Sequence, residues 1–231
     1  PEVREFIIDT CMEIVENYDV DGLHFDDYFY ANGIDDSETR AKYNTEGLSV
    51  SDFRRKQVDT FIYNLKLELD EFNNRNNRFV QLGISPTGVY KNANSQTEAN
   101  TPIEDYIFDS NGNLVYPTGA TTGCHMHYES YLYCDTLKWV NNEWINYILP
   151  QTYWAQNHSL APYERLINWW NQAVSKKNVN LYAGMGIYMW LTNTNEAYEQ
   201  LVINDALEHV KGTSIYSYKQ IAAAYNNTDV S

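Results

Sequence analysis

The sequence predicts an α/β fold, namely a (β/α)₈ TIM barrel of which this chain covers the last five βα units. Five short apolar segments typical of buried strands alternate with amphipathic segments typical of helices. Strict alternation of this kind favours right-handed βαβ units and a parallel sheet. Polar and aromatic residues also follow each of the five strands, and in such a barrel the functional residues lie at that face.

The first half of the chain is predicted from its apolar spacing. Residues 2–18 and 52–73 have apolar side chains at helical intervals, whereas 21–30 and 79–86 have the pattern of strands. Residues 32–47 are predicted to be a polar loop in which Asp35, Asp36 and Glu38 are solvated. A second loop, 91–123, is rich in Asn, Thr and Gly and is expected to overhang the strand ends; loops this long are usually functional or partly disordered.

The second half continues the alternation. Residues 129–142, 162–177 and 196–210 are predicted helices, and residues 145–154, 179–187 and 213–218 are predicted strands. A short Ala-rich helix follows. Because the chain starts at Pro1 with a helix, we expect a single domain over residues 1–231, whose first three strands and any signal segment lie outside this sequence.

Composition excludes several classes of partner. The 231 residues include 16 Lys and Arg against 31 Asp and Glu, a net charge of −15, which disfavours nucleic acid and anionic membranes. No apolar run is long enough to span a bilayer. No Gly-rich phosphate-binding motif follows any strand, so no nucleotide cofactor is expected. The aromatic content of 15%, with 20 Tyr and 6 Trp, indicates a surface that stacks on flat or ring-shaped ligands.

An acidic pair ends the first strand. Since side chains alternate along a strand, Leu23 and Phe25 should face the covering helices, and His24, Asp26 and Tyr28 should face the barrel mouth. Asp26 would then be a carboxylate on a rigid strand, as glycoside hydrolysis requires. Asp27 could hold Asp26 in place or serve as its catalytic partner. The alternative is that the two acids only bind backbone amides at a strand–loop corner.

The residues around this pair resemble glycosyl-hydrolase-like family ten. The hallmark is the segment DGLHFDDYFY at 21–30, and further segments match in the same order. These are GISPTG at 83–88, DTLKWV at 135–140, WINYILPQTYW at 144–154, Trp169–Trp170 and LYAGMGIY at 181–188. The resemblance covers nearly the whole chain. It implies a (β/α)₈ barrel related to glycosidases, in bacterial envelope or secreted proteins, with one relative that cleaves peptidoglycan glycan strands stripped of their peptides.

Similarity to better-understood barrels is partial and leaves the second carboxylate unassigned. His24-Phe25-Asp26 is in register with the end of the strand-four motif of α-amylase-type enzymes, which favours Asp26 as the nucleophile. Tyr28 stands where chitinase-type enzymes have their acid, and Ser85 where amylase-like enzymes have theirs. Besides Asp27 and a residue of the absent strands, the open candidates are Glu98, Glu104, Asp105, Asp109 and Glu129.

Other side chains are predicted to contact a sugar. Gln151, Tyr153 and Trp154 follow Pro150 at a strand end and combine apolar platforms with polar groups, as sugar sites do; Tyr188 has the same role by position. The alternative for the aromatic residues is packing. Cys124-His125-Met126-His127 resembles a metal-binding segment in composition only, because structural zinc needs four ligands at tighter spacing. We expect no metal, and expect His125 or His127 to hydrogen-bond substrate.

The sequence therefore predicts a secreted or envelope glycoside hydrolase acting on an amino-sugar glycan such as peptidoglycan, without a cofactor. Asp26 would act as nucleophile, base or transition-state stabiliser, or would orient a substrate acetamido group. The alternative is a non-catalytic carbohydrate-binding barrel without a second catalytic carboxylate, and a further one is an inactive fragment. Oligomeric state has no signal in the sequence.

Overall fold

The computed structural model describes residues 1–27, 29–30, 33–129 and 132–228. Its helices are α1 (Glu2–Asn17), α2 (Ser37–Tyr43), α3 (Val50–Asn76), α4 (Gln96–Ala99), α5 (Thr136–Asn141), α6 (Tyr163–Val174), α7 (Thr194–Ala206) and α8 (Tyr218–Thr228). Its strands are β1 (Gly22–Asp26), β2 (Gln81–Ser85), β3 (Ile107–Phe108), β4 (Leu114–Tyr116), β5 (Tyr147–Ile148), β6 (Asn180–Gly186) and β7 (Val210–Tyr216).

Five strands form one sheet in the order β1-β2-β5-β6-β7. Each neighbouring pair runs parallel, as the alternation of helices and strands predicted. Because all five strands are parallel, their carboxyl ends lie at the same edge of the sheet. The arrangement is a mixed α/β fold compatible with part of a barrel.

Helix α3 shows how local sequence sets the limits of an element. Ser49 caps its start by accepting a hydrogen bond from the backbone N–H of Asp52 at 3.1 Å. Asn77 ends it in the left-handed conformation, with φ at 52°. Between these ends, the apolar face that includes Leu65 is fully buried against the core that also contains Leu82 of β2. Burial of this face holds the helix against the sheet.

Two predicted boundaries were wrong in the middle of the chain. The helix expected over residues 129–142 is only α5, because Asp135 caps it by accepting from the N–H of Lys138 and Tyr133 before it has a positive φ of 52°. The strand expected over residues 145–154 is only β5. Pro150 has no N–H to extend the ladder, and pairing resumes only at Gln151, through isolated bridges.

The predicted loop 32–47 contains helix α2, and Asp36 is not solvated. Only 4% of Asp36 is exposed, and its carboxylate accepts from Arg54 at 2.8 and 2.9 Å, from Arg40 at 3.0 Å and from the Tyr30 hydroxyl at 2.8 Å. The Arg54 guanidinium holds the pKa of this carboxyl well below its usual range, with Tyr30 and Arg40 acting in the same direction against burial. The sequence of an acidic loop does not show that one of its carboxylates is paired with two arginines from elsewhere in the fold.

The predicted loop 91–123 is also structured. It contains α4 and the antiparallel hairpin of β3 and β4. Glu98, only 5% exposed, joins two parts of the segment, because its carboxylate accepts hydrogen bonds from the backbone N–H and the side chain of Asn94 and from the backbone N–H and the hydroxyl of Thr118. The segment packs on α6, where the indole of Trp169 donates to the Pro117 carbonyl at 3.1 Å. Its described contacts therefore place it against a helix, not over the strand ends as expected.

Two further features concern the cysteines and the apolar character of the helices. Cys11 and Cys134 are buried, and all three thiols, including Cys124, are free. Among the helices within the described ranges, none combines the length and apolar character that a bilayer crossing requires.

The last predicted helix, 196–210, corresponds to α7, and the last predicted strand, 213–218, corresponds to β7. Both elements begin and end a few residues earlier than predicted.

Candidate active site

The end of β1 carries the acidic pair, and the strand alternation places its residues. Leu23 and Phe25 pack against the core, whereas His24 and Asp26 lie on the opposite, exposed face. In the parallel register, Asp26 pairs with Ser85, the last residue of β2. Both lie at the carboxyl edge of the sheet, where side chains from different strands converge.

Gln151 joins the two acids. Its side-chain Nε2 donates to Asp26 Oδ1 at 2.8 Å, to Asp27 Oδ2 at 3.0 Å and to the Ser85 carbonyl at 3.2 Å. Because both carboxylate oxygens contact one nitrogen, they lie within roughly 6 Å of each other. A single amide thus holds the carboxyl groups of two consecutive residues at one point of the sheet edge.

The surroundings of Asp27 favour its protonated form. Its Oδ1 is buried and has no hydrogen-bond partner within the described part of the chain. Burial raises the pKa of the Asp27 carboxyl, and the charge of Asp26 adds to the rise. The hydrogen bond from Gln151, the backbone of Thr87 and the charge of His125 act against it. Asp26 is the more exposed of the two, so the pair combines unlike environments.

His24, which follows Leu23 on the exposed face of β1, contacts Tyr147 of β5. The His24 Nδ1 lies 2.9 Å from the Tyr147 hydroxyl, and the two rings stack with centroids 5.7 Å apart. Burial lowers the pKa of His24, and the nearby charge of Asp26 opposes that shift. Gly83 makes this contact possible, since a Cβ there would lie 1.8 Å from the Tyr147 ring.

Ser85 is held within the sheet. It is 4% exposed, and its hydroxyl donates to the Leu149 carbonyl at 2.9 Å. The carboxylate that amylase-like enzymes carry on this strand therefore has no counterpart at the end of β2. Among the predicted acids, only Asp27 is brought beside Asp26 by a hydrogen bond within the described residues.

The other predicted sugar-binding residues separate into two groups. Tyr153 and Tyr188 lie together at the edge of β5 and β6, with ring centroids 6.1 Å apart. Trp154 instead packs against the core, and its carbonyl accepts from Gln200 at 3.0 Å. Tyr28 lies outside the described residues.

A cavity of about 480 Å³ opens beside the acidic pair. It lies between β1 and helices α1, α2 and α3, and Phe25, Phe61 and Ile7 give it apolar walls. Asp26 and Asp27 are both part of its lining. Gln151, Tyr153 and Tyr188 are not part of this lining, so the cavity touches the acidic pair from the side of Phe25 and not from the side of His24.

Either His125 or His127 was expected to hydrogen-bond substrate, and the structure removes His127 from that choice. The side chain is fully buried; its Nδ1 lies 2.9 Å from the Thr87 carbonyl and its Nε2 lies 2.7 Å from the Thr136 hydroxyl. Because a carbonyl can only accept, Nδ1 carries the proton and Nε2 accepts from Thr136. Burial lowers the pKa of His127 to about 3. No cluster of three or more His, Cys, Asp or Glu suited to a metal occurs in the described ranges.

Sequence reasoning missed two tyrosines of this edge. Tyr147 lies inside a predicted strand and had no predicted role. The last strand was predicted to end at residue 218, two residues beyond the end of β7 at Tyr216, so Tyr216 was not recognised as a strand-end residue. The register of β6 and β7 pairs Tyr216 with Gly186. The sequence signal for Tyr216 is weak, because its place at the sheet edge depends on how β7 is aligned with β6. That register is not visible in the sequence of either strand alone.

The chain is similar to known proteins in two comparisons. The profile of the family described as Glycosyl hydrolase-like 10 matches residues 1–200. Glycosyl hydrolase YngK of Bacillus subtilis is 31% identical over 234 residues, covering 96% of this chain and 41% of that protein. Glycosyl hydrolase DigH of Escherichia coli K12 is 30% identical over 233 residues, covering 94% and 47% respectively. The chain thus spans less than half the length of these curated relatives. The profile match over residues 1–200 shows that the chain belongs to the glycosyl hydrolase-like 10 family.

Proposed function

We propose that this chain hydrolyses glycosidic bonds, with Asp26 and Asp27 as the carboxyl pair. The observation that carries the proposal is the single amide of Gln151 bonded to both carboxylates at the carboxyl edge of the parallel sheet. Glycoside hydrolysis uses two carboxyl groups beside the cleaved bond. Membership of a glycosyl hydrolase-like family and the names of its relatives support the same reaction class.

The fold and the place of action are part of the same proposal. The chain would form a single glycosidase-like domain over residues 1–231, containing the last five βα units of a (β/α)₈ barrel, and the sheet order supports this. The substrate would be an amino-sugar glycan of the peptidoglycan type, met outside the cell or in the envelope. No cofactor is needed, since the two carboxyl groups supply the acid and the nucleophilic or orienting group.

The two acids would have different roles. Asp27, whose pKa burial raises, would hold a proton and donate it to the leaving oxygen. Asp26, more exposed, would either attack C1 or orient a substrate acetamido oxygen that attacks C1. A separation within roughly 6 Å is nearer to the roughly 5–5.5 Å of retaining enzymes than to the roughly 6.5–9.5 Å of inverting ones. We therefore propose hydrolysis with retention of configuration.

The remaining residues would bind or position. Gln151 is proposed to keep both carboxyl groups in place, because its amide hydrogens are already used by them. Substrate-binding roles are proposed for His24, Tyr153 and Tyr188, which lie at the same edge of the sheet as the pair. The same role, predicted from sequence for Tyr28, Ser85 and Trp154, stays part of the proposal, although Ser85 and Trp154 are packed within the protein.

Three matched variants test the proposal. Asp26→Asn and Asp27→Asn should each lower kcat about 10²–10⁴-fold on peptide-free glycan strands and on N-acetylglucosamine oligosaccharides. Asp21→Asn, the same change at the exposed opposite end of β1, should leave the rate unchanged. Proton NMR of the first product should show the substrate's anomeric configuration. Full activity of Asp26→Asn would refute the assignment.

A second candidate is carbohydrate binding without cleavage. It is favoured by Ser85, which leaves the end of β2 without a carboxylate. Tight binding of these glycans by the unmodified protein, with no product formed on prolonged incubation, would establish this alternative and exclude the hydrolase.

A further inference from the structure

Three tyrosines form a cluster at the carboxyl ends of β5, β6 and β7. Tyr153 and Tyr216 are stacked, with ring centroids 6.3 Å apart and an interplanar angle of 21°. Tyr188 stands edge-on to both, at 6.1 Å from Tyr153 and 6.2 Å from Tyr216. Mutual edge-to-face packing fixes the orientation of each ring.

Gly186 at the end of β6 makes room for this tyrosine cluster. A Cβ at Gly186 would lie 2.9 Å from Tyr153 Cγ and 3.1 Å from Tyr188 Cε1. The rings therefore lie directly over the strand end. Although they pack on one another, Tyr188 remains 46% exposed and Tyr216 57% exposed. The cluster thus presents ordered aromatic surface to solvent.

The tyrosine cluster adjoins the acidic pair. Tyr153 is two residues beyond Gln151, whose amide bonds Asp26 and Asp27. Burial raises the pKa of the Tyr153 hydroxyl, and the charges of Asp26 and Asp27 contribute to that rise. The cluster and the carboxylates are thus neighbouring parts of one edge of the sheet.

We propose that the tyrosine cluster is a subsite that stacks on the apolar face of a pyranose ring adjacent to the cleaved bond, with Tyr216 as its outermost member. This rests on the proposed glycoside hydrolase function and extends it to the substrate's length: a glycan must reach from the acidic pair to β7. The rings supply a rigid apolar surface with hydroxyls at its border, which suits a sugar ring and its hydroxyl rim.

The test separates binding from catalysis. Calorimetry on the Asp26→Asn background would measure the affinity for N-acetylglucosamine oligosaccharides of increasing length and for cello-oligosaccharides. Tyr216→Ala should weaken binding of the longer oligosaccharides about tenfold, the loss of one stacking contact. The affinity of the Tyr216→Phe variant should stay within about threefold of that of the Asp26→Asn background, because this variant keeps the aromatic ring. Tyr198→Ala, at a tyrosine 68% exposed on α7, should have no effect.

Each outcome has one meaning. Equal affinity of Tyr216→Ala and its background, with near-ultraviolet dichroism showing a folded protein, overturns the subsite; Tyr188→Ala provides a second variant. Failure of both oligosaccharide series to bind also overturns it. Failure of the proposed function is a different result: the unmodified protein would bind and show this tyrosine dependence but release no product.

Discussion

The shared amide of Gln151 allows a quantitative prediction about Asp27. Gln151→Met removes the donor and nearly preserves side-chain length. A hydrogen bond to a charged group contributes about 1.5–3 kcal/mol, and 1.36 kcal/mol corresponds to about one pKa unit. Because Asp27 is only partly buried, we expect the lower end of that range. Burial raises the pKa of Asp27, and the hydrogen bond from Gln151 limits that rise. Without this bond, the pKa of Asp27 should rise by about one further unit.

Repulsion between the two acids acts in the same direction. Two charges at roughly 6 Å repel by about 0.7 kcal/mol in water and about 3 kcal/mol at an effective dielectric constant of about 20. The amide of Gln151 places the positive end of its dipole between Asp26 and Asp27. Without it, the proton on Asp27 should be held up to a higher pH, and the fall in activity at rising pH should move with it.

Carbon-detected NMR of aspartate-labelled protein measures this directly. The Asp27 carboxyl signal is assigned by its absence in Asp27→Asn, and its titration is followed in unmodified protein and in Gln151→Met. Gln156→Met is the matched control, since Gln156 bonds the exposed Glu199 instead, at 3.0 Å. An unchanged or lowered midpoint for Asp27 in a folded Gln151→Met protein would refute the reasoning.

Three further predictions concern stability, each measured by urea unfolding. Gly83→Ala should lower the free energy of unfolding by about 1–3 kcal/mol, since the added Cβ would lie 1.8 Å from the Tyr147 ring. An unchanged free energy of unfolding would contradict that packing. Asp36→Asn should cost about 3–5 kcal/mol at neutral pH. Because Arg54 lowers the folded-state pKa of Asp36, this contribution exists above the ordinary carboxyl pKa, so wild type and variant should converge in strong acid. Burial lowers the pKa of His127 from 6.5 to about 3 on folding, so as the pH falls below 6.5 the unfolded chain binds a proton at His127 and the folded chain does not. The free energy of unfolding should therefore decrease by up to about 1.4 kcal/mol for each pH unit between 6.5 and about 3. His127→Gln should lack this pH dependence, and a variant that kept it would contradict the prediction.

The strands and their faces were largely predictable because their signals are local. Alternation over β1 was enough to separate Leu23 and Phe25 from His24 and Asp26, and the structure has them on opposite faces. Helix ends were less predictable. Tyr133 takes a positive φ that its residue type does not indicate, so the start of α5 was misplaced.

Contacts between distant segments were not predictable in the same way. Gln151 was recognised as a polar residue at a strand end, but its bonds to Asp26 and Asp27 join positions more than a hundred residues apart. They depend on the register of three strands. The burial of His127 was missed for a related reason, because its partners Thr87 and Thr136 come from other segments.

The sequence by itself determined the parallel α/β order, the acidic pair at the end of β1 and the aromatic character of the strand ends. These follow from periodicity and from neighbours along the chain, which any single segment contains. The tertiary structure alone decided that Gln151 joins Asp26 to Asp27 and that Tyr216 belongs beside Tyr153. The physical reason is strand register: a shift of one residue turns a side chain to the opposite face, and only packing of the whole sheet selects the register.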